Sequence, residues 1–248
     1  MNSPLKVFAE FLVFVRQALV AQFSQVPPLG PLVRHTYEAG VGSVGLLTVL
    51  TLFAGLNLSV QSYATFERFG GQDFLGMFAG VGGVRELYPV MAAVVCGARI
   101  GANLAAALAN MKISEQVEAL EVMGIDPMRH LVAPRLWAVT LALPLLCGYA
   151  NVIGIGASYA GAVYQLGLDG GTFISQLHVF VGLADLGVGM FKGLIFGWLV
   201  ALIATFHGYR AAKKEGAEGV GVATNRAIVH GAVMCILLNL GISWLLYG

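Results

Sequence analysis

The sequence predicts an all-α polytopic membrane protein, with five transmembrane helices preceded by an N-terminal amphipathic helix that lies in the membrane interface. Of its 248 residues, 58% are hydrophobic and only 11% are charged, whereas a soluble domain carries about 25% charged residues. The apolar residues fall into runs of about 20, the length that a helix needs to cross a bilayer core. Too few charges remain to cover a soluble fold, so we expect the chain to fold in a bilayer.

The first predicted element is a helix over about residues 4–23, in which Lys6, Glu10 and Arg16 interrupt an apolar sequence. Its apolar core is short and is broken by Arg16, and no small-residue cleavage site follows, so a signal peptide is not indicated. Mixed polar and apolar faces are typical of helices that lie in the membrane interface. We therefore expect this helix to lie on the membrane and not to cross it.

Five longer apolar runs follow, and each is long enough to span the bilayer. The predicted spans cover about residues 39–62, 87–108, 131–164, 188–208 and 228–247. The third run is the longest, and we expect Pro134 and Pro144 to kink it or to mark its start. Glycine is frequent within the runs, as expected where helix backbones approach closely in lipid. The whole chain, 1–248, is predicted to form one domain.

The positions of Lys and Arg predict the orientation, because cytoplasmic loops are enriched in these residues. With the N-terminus in the cytoplasm, ten of the fourteen Lys and Arg residues fall in cytoplasmic segments. The external segments, 63–86 and 165–187, contain only Arg68 and Arg85. An odd number of spans then places the C-terminus on the opposite side of the membrane.

Composition and motifs argue against several other classes of protein. The net charge of +1 gives no basic surface for nucleic acid. The three cysteines and five histidines are dispersed, so neither a disulfide framework nor a metal site is expected. No GxxxxGK[ST], HExxH or GxSxG motif occurs, and covalent catalysis is therefore not predicted. If the protein uses ATP, another chain must supply the ATP site.

A charged stretch, ISEQVEALEVMGIDP, interrupts the apolar runs at residues 113–127. Ser114 is expected to cap a short helix in which Glu115, Glu118 and Glu121 follow at helical spacing. This acidic helix runs against the usual preference of cytoplasmic loops for positive charge. The pattern indicates a compact helix outside the membrane.

The end of that helix is also marked in the sequence. Gly124 suits a C-terminal cap, and Asp126 followed by Pro127 suits the start of a new helix. Two interpretations remain open: a solvated helix that only joins two spans, and a docking helix for a soluble partner.

Charged residues within or beside the spans are candidates for function, because inserting one into a bilayer costs about 2.5 to 3.5 kcal/mol. Arg85 and Glu86 stand at the outer end of the second span, beside Tyr88. They are either an ion pair at the start of a helix or a binding site in which Arg85 meets a lipid phosphate. Arg99 lies deeper, and we expect it to face the interior of the helix bundle or to reach a carbonyl at a helix end, in a structural or coupling role.

Further polar residues stand near the outer end of the first span. Asn57, Gln61 and Tyr63 are expected to line the same cavity as Arg85 and Glu86. A polar mouth with apolar walls is the combination that an amphiphile requires.

A long ordered pattern carries a resemblance to a known family. RELYP at 85–89 is followed by an intramembrane glycine and arginine, then by E-x-x-x-A-L-x-x-M-x-x-D-P at 115–127 and by Pro134-Arg135. FHGY at 206–209 and TNRAIVH at 224–230 extend the match. This pattern resembles the MlaE/YrbE family, the permease subunits of ABC transporters that work with MCE-domain proteins to move lipids.

The resemblance implies an assembly in the bacterial inner membrane, with the C-terminus in the periplasm. Two permeases, by preference two copies of this chain, would stand beside two ABC ATPase subunits and an oligomer of an MCE-domain protein. The cargo would be phospholipid or a related lipid. The permease itself would be non-catalytic and bind no cofactor, since ATP and Mg would be held by the ATPases.

The resemblance also gives segment 112–127 a role as the coupling helix that contacts the ATPase. The residues it implies there are Ser114, Glu115, Glu118, Leu120, Glu121, Met123 and Asp126. Many relatives have Asp at the position of Glu118, which keeps the charge but changes the contact. The alternative function is a stand-alone membrane scaffold or a secondary transporter, although the internal repeats of secondary transporters are not found.

Overall fold

The structure is a computed structural model that describes residues 4–24, 29–212 and 216–247, and within these ranges it contains helices and no strand. The α-helices of these ranges are α1 Pro4–Ser24, α2 Leu29–Phe66, α3 Leu75–Phe78, α4 Tyr88–Ile113, α5 Gln116–Val122, α6 Ala133–Ala160, α7 Gly170–Phe180, α8 Leu183–Tyr209 and α9 Gly216–Tyr247. The predicted all-α polytopic fold is confirmed.

Six helical stretches within the described ranges are long and apolar enough to cross a membrane. They are Leu5–Ser24, Leu32–Phe69, Gln72–Ile113, Met128–Gln165, Leu183–Tyr209 and Gly216–Leu246. The first has the lowest mean hydropathy of the six, 1.4, and it is the helix predicted to lie in the interface. A helix of this length and composition can cross the membrane or lie in its interface, so the interfacial position stays a prediction.

Wider, π-helical turns interrupt the regular helices. They cover Ala79–Leu87 between α3 and α4, Met128–Val132 before α6, and Gly161–Gln165 after α6. Such turns are rare and are often found at functional sites. The first carries Arg85 and Glu86, so the backbone is irregular where the sequence places its charged pair.

The chain divides by its contacts into two compact units. Unit 1 comprises Met1–Ala39, Gly97–Ala142 and Phe196–Cys235, and unit 2 comprises Gly40–Cys96, Leu143–Ile195 and Ile236–Gly248. The boundaries fall within α2, α4, α6, α8 and α9. The prediction of one domain stays a prediction.

Small residues bring α2 and α6 together in unit 2. A Cβ atom at Gly55 would lie 2.6 Å from the carbonyl oxygen of Gly154, so only glycine permits this approach. The hydroxyl of Ser59 donates to the carbonyl of Ser158 at 2.7 Å, and the hydroxyl of Ser158 donates to the carbonyl of Gly55 at 3.0 Å. The two helices are thus joined by backbone contact and by hydrogen bonds that need no water.

Unit 2 also contains α7, a helix that the sequence analysis did not predict. Its first turn is capped by Asp169, whose carboxylate accepts hydrogen bonds from the backbone N–H of Thr172 at 2.7 Å and from its hydroxyl at 3.0 Å. These hydrogen bonds hold the pKa of the Asp169 carboxyl below its ordinary value. Gly76 and Gly80 let the α3 region pack directly against α7 and the residue after it.

In unit 1, α1 packs through one face. Phe11 and Phe14 make edge-on contacts with Phe206 on α8, with ring centroids 5.0 and 5.5 Å apart. Gln22 is 3% exposed. Its backbone carbonyl accepts a hydrogen bond from the indole of Trp137, and its side-chain oxygen accepts one from the indole of Trp198, both at 3.1 Å. The end of α1 is therefore fixed to α6 through its backbone and to α8 through a polar side chain.

The five histidines are dispersed in the sequence, but two of them meet in the structure. His207 on α8 and His230 on α9 share a hydrogen bond of 2.8 Å between Nε2 and Nδ1. The pair joins FHGY to TNRAIVH, and we interpret it as a structural link between the two helices.

Candidate functional site

A buried lysine organises the polar residues of unit 2. Lys192, on the apolar helix α8, is fully buried. Its ammonium group donates to the carbonyl of Arg85 at 2.8 Å, to a carboxylate oxygen of Glu86 at 3.1 Å and to the hydroxyl of Ser243 at 2.8 Å. The other oxygen of Glu86 accepts from the side-chain amide of Asn239 at 2.8 Å. We call Arg85, Glu86, Asp185, Lys192, Asn239 and Ser243 the polar cluster.

The second half of the polar cluster is formed around Arg85. Its Nε lies 2.7 Å from a carboxylate oxygen of Asp185, and a terminal nitrogen donates to the carbonyl of Phe180 at 2.9 Å. The side chains of Arg85 and Asp185 are 25% and 14% exposed, whereas that of Glu86 is 38% exposed. The polar cluster thus contains two ion pairs, Arg85–Asp185 and Lys192–Glu86, and solvent reaches it mainly at Glu86 and Arg85.

This arrangement has a defined chemical capacity. The buried ammonium of Lys192 holds the Glu86 carboxylate and the π-helical backbone in place, which fixes the position of the guanidinium beside it. A guanidinium carries five N–H donors in a planar fork that matches a phosphate. A phosphate that reached Arg85 would compete with Asp185 for it.

The sequence analysis found only part of the polar cluster. Its pattern singled out Arg85 and Glu86 and gave no role to Lys192 or Asp185. The available signal was the lysine itself, since a charge inside an apolar helix requires a partner. Asn239 and Ser243 lie too far along the chain for any local pattern to connect them with Glu86.

Tyr88 does not have the predicted cavity position. Its side chain is fully buried, and its hydroxyl is 2.8 Å from the hydroxyl of Ser158 and donates to the carbonyl of Gly154 at 3.1 Å. A Cβ atom at Gly154 would lie 2.5 Å from the tyrosine ring. Because the ring fills the space that this glycine leaves, we assign Tyr88 to helix packing and not to lipid contact.

The polar residues of α2 separate into two groups. Asn57 and Gln61 are exposed on the same side of the helix, and the amide of Gln61 donates to Asn57 at 2.6 Å. Tyr63 is partly buried and packs against Leu75 and Phe173. No described contact joins Asn57 or Gln61 to Arg85, so their predicted role in one cavity stays a prediction.

Arg99 does not face the interior of the bundle in the single chain, and its predicted structural or coupling role stays a prediction. Its side chain is exposed. The cause is the position of Gly97 and Gly101, which both face Val200 on α8. At 100° per residue, Arg99 lies about 200° from each glycine and therefore points away from α8.

Ser114 does not cap α5 as predicted. Its hydroxyl donates to the carbonyl of Asn110 at 2.7 Å, because the serine follows the last turn of α4 and the carbonyl four residues earlier is within reach. Glu115 precedes α5 with a positive φ of 60° and makes no side-chain capping bond there. The turn between α4 and α5 is therefore sharp and depends on an unusual backbone conformation.

Glu118 and Glu121 of this segment contact other residues of unit 1. Glu118 forms an ion pair with Lys112, and Glu121 accepts a long hydrogen bond of 3.4 Å from the hydroxyl of Tyr209. Leu120 faces a small core that contains Leu108 and the fully buried Val117. The inner face of α5 is thus held against its own unit.

The predicted end of α5 is found. Gly124 has a φ of +76°, and its N–H bonds to the carbonyl of Glu121 while that of Ile125 bonds to the carbonyl of Leu120. This pair of bonds is the Schellman motif. Asp126 then accepts a hydrogen bond from the N–H of Met128 at 2.9 Å, so it caps the next helical segment, with Pro127 at the first position.

The outer surface of the segment is apolar at its tip. Val122 is 90% exposed, Met123 is 64% exposed and Ile125 is 39% exposed. We call these three residues the apolar tip. Exposed apolar patches that polar residues surround are typical of protein interaction sites, which favours the docking interpretation of this segment.

Comparisons with known proteins agree with the pattern in the sequence. A family model described as Permease MlaE matches residues 32–245. A probable ABC transporter permease protein of Rickettsia typhi is 32% identical over 238 residues, which cover 95% of this chain and 91% of the relative. The intermembrane phospholipid transport system permease protein MlaE of Haemophilus influenzae is 33% identical over 219 residues, or 88% of this chain and 83% of the relative.

A plant relative shows how far the similarity extends. The chloroplast protein TRIGALACTOSYLDIACYLGLYCEROL 1 of Arabidopsis thaliana is 31% identical over 198 residues, which cover 79% of this chain and 55% of the relative. The region that matches the family model contains the polar cluster and the apolar tip. The resemblance predicted from RELYP and the acidic segment is confirmed, and this multi-pass membrane protein belongs to the MlaE permease family.

Proposed function

We propose that the chain is the membrane subunit of an ABC transporter that moves phospholipid between the bacterial inner membrane and an MCE-domain protein. Two partner ATPases supply the energy, and a second copy of the chain completes the permease. The N-terminus is cytoplasmic and the C-terminus is periplasmic. The observation that carries this proposal is the polar cluster, whose buried lysine and partly exposed Arg85 and Glu86 lie within apolar helices.

The polar cluster supports a phospholipid as cargo. A charged group in an apolar helix is costly, and such a group is therefore a candidate for substrate contact. Arg85 presents a guanidinium suited to a phosphate diester, and exposed apolar side chains on the same unit offer a surface for acyl chains. The relative in Haemophilus influenzae is named for intermembrane phospholipid transport.

The apolar tip supports a soluble ATPase as partner. The chain has no phosphate-binding motif of its own, so the energy must come from another subunit. Val122 and Met123 project from a helix whose inner face is fixed by Val117 and by the Lys112–Glu118 pair. A rigidly held helix with an exposed apolar end transmits a push from a bound partner to α4 and α6.

The exposed arginine of α4 supports a second copy of the permease. Arg99 lies within a stretch long and apolar enough to cross a membrane, yet its side chain is exposed in the single chain. Exposure of an arginine to lipid is costly, so cover by another subunit or by a polar cavity is favoured.

The test is a purification of the tagged chain in mild detergent after expression with its native neighbours. Mass analysis of the proteins and lipids is expected to find an ATPase, an MCE-domain protein and phospholipid enriched over the bulk membrane. Recovery of the chain alone, with the lipid composition of the bulk membrane, would favour a stand-alone scaffold or a secondary transporter instead.

A further inference from the structure

Unit 1 contains an open cavity of about 500 Å³ that the proposed transport path does not use. It lies between α1, the segment that leads from α5 into α6, and the end of α8. Its lining combines the charged residues Arg16, Glu121 and Arg129 with apolar ones such as Val20. The volume falls within the range of ligand sites in proteins, about 300 to 1,000 Å³.

Arg16, one of the two arginines that line this cavity, lies on a surface that lipid is expected to cover. Leu5 is 80% exposed, Leu12 is 52% exposed and Phe23 is 73% exposed. At 100° per residue these three lie on one face of α1, and exposed Arg16 lies on the same face, within about 40° of each of them. No carboxylate of the described residues pairs with Arg16. A guanidinium in such a position is suited to a lipid phosphate.

The anions of the cavity are not equally available. Asp126 accepts hydrogen bonds from the backbone of Met128 at 2.9 Å and pairs with Arg129 at 3.3 Å. Glu121 is exposed and accepts one long hydrogen bond, from the hydroxyl of Tyr209 at 3.4 Å. Because Arg129 and Asp126 are paired with each other, the cavity offers one cation, Arg16, and one anion, Glu121, to a ligand.

We propose that this cavity binds the phosphoethanolamine headgroup of a membrane phospholipid. The phosphate contacts Arg16, the ammonium group donates to Glu121, and the acyl chains lie along the exposed apolar face of α1. A choline headgroup has no N–H to donate to Glu121, and a glycerol headgroup has no positive charge. Because Glu121 is next to the apolar tip, the bound lipid would link the membrane to the segment proposed to bind the ATPase.

The experiment uses the chain with its co-purifying partners in nanodiscs of phosphatidylcholine that contain equal minor fractions of phosphatidylethanolamine and phosphatidylglycerol. A photoreactive phenylalanine analogue in place of Val20 captures the bound lipid, and mass analysis identifies the adduct. The expected adduct is phosphatidylethanolamine, about fivefold above its share of the bilayer, as for a contact worth about 1 kcal/mol.

Three variants test the assignment of the groups. Arg16→Gln is expected to lower the phosphatidylethanolamine adduct about fivefold, and Glu121→Gln to remove the preference over phosphatidylglycerol. Lys6→Gln makes the same change of charge at an exposed position of the same helix, outside the cavity, and is expected to change nothing. Thermal unfolding of each variant checks that the fold is kept.

Adducts that follow the bulk composition in the unaltered protein would overturn the proposal, because they would indicate ordinary lipid contact. Equal effects of Arg16→Gln and Lys6→Gln would also overturn it. A preference for phosphatidylglycerol would refute the assignment of the ammonium group to Glu121.

Discussion

Replacing Lys192 with methionine is expected to destabilise the protein, because methionine keeps most of the volume of the side chain but not its charge. The fully buried ammonium group donates to the Arg85 carbonyl, to Glu86 and to Ser243. Breaking a buried ion pair from one side costs about 3 to 5 kcal/mol. Since Glu86 is 38% exposed, water recovers part of that loss, and we expect a cost of about 2 to 3 kcal/mol.

Thermal unfolding of the purified protein in detergent measures this cost. For a chain of this size a loss of 2 to 3 kcal/mol corresponds to a fall in Tm of about 5 to 10 °C. The double replacement Lys192→Met with Glu86→Gln is expected to recover about 1 to 2 kcal/mol, because it removes the carboxylate left without its cation. Lys112→Met is the control, since its ion pair with Glu118 is more exposed and is worth at most about 1 kcal/mol.

If the Lys192→Met protein unfolded within about 1 °C of the unaltered protein, the contacts of Lys192 would not stabilise the fold as we infer. The same conclusion would follow if the stability losses of Lys192→Met and Glu86→Gln, each measured alone, simply added in the double variant. Additive losses would show that the two side chains do not interact.

Three further predictions follow from the packing, the apolar tip and the cap of α7. Gly154→Ala is expected to cost about 1 to 3 kcal/mol in thermal unfolding, because the new Cβ meets the Tyr88 ring, whereas Gly156→Ala on the same helix has open space and should cost little; equal costs would contradict this. Val122→Asp is expected to reduce the recovery of the ATPase at least about tenfold, and Val179→Asp, at a similarly exposed valine, should not; equal recovery in both would refute the docking surface. Because the pKa of Asp169 is lowered, its ionised carboxylate stabilises α7 at a pH above the ordinary pKa of an aspartate, and this stabilisation is lost as the pH falls through the lowered pKa. Hydrogen exchange of the α7 amides should therefore become faster as the pH falls through that pKa, beyond the intrinsic effect of pH on exchange, and Asp169→Asn should remove this dependence. Identical pH profiles in the two proteins would contradict the prediction.

Features that depend on a few neighbouring residues were predictable from the sequence. Helix ends are of this kind: Gly124 supplies the positive φ that ends α5, and Asp126 with Pro127 starts the next segment. The long helices were predictable because a bilayer fixes the length of an apolar run. The resemblance added the family, which no single local pattern established.

Features that depend on contacts between distant helices were not predictable. Lys192 meets Glu86 across 106 positions of sequence, and no periodicity connects the two. The orientation of Arg99 followed from which face of α4 meets Val200, and the hydroxyl of Ser114 bonded backward because α4 ends immediately before it. Burial of Tyr88 likewise depends on the space left by Gly154 on another helix.

The most direct test of the proposed function is to measure ATP-dependent transfer of labelled phospholipid between proteoliposomes and the partner that co-purifies with the chain. We expect transfer that requires hydrolysable ATP and that falls at least about tenfold in Arg85→Gln, as for loss of a charge-assisted contact. Arg34→Gln, at an exposed arginine paired only with its helical neighbour, should leave transfer unchanged. Transfer that is independent of ATP would contradict the proposed transporter function. Equal transfer in Arg85→Gln and Arg34→Gln would contradict the proposed role of Arg85.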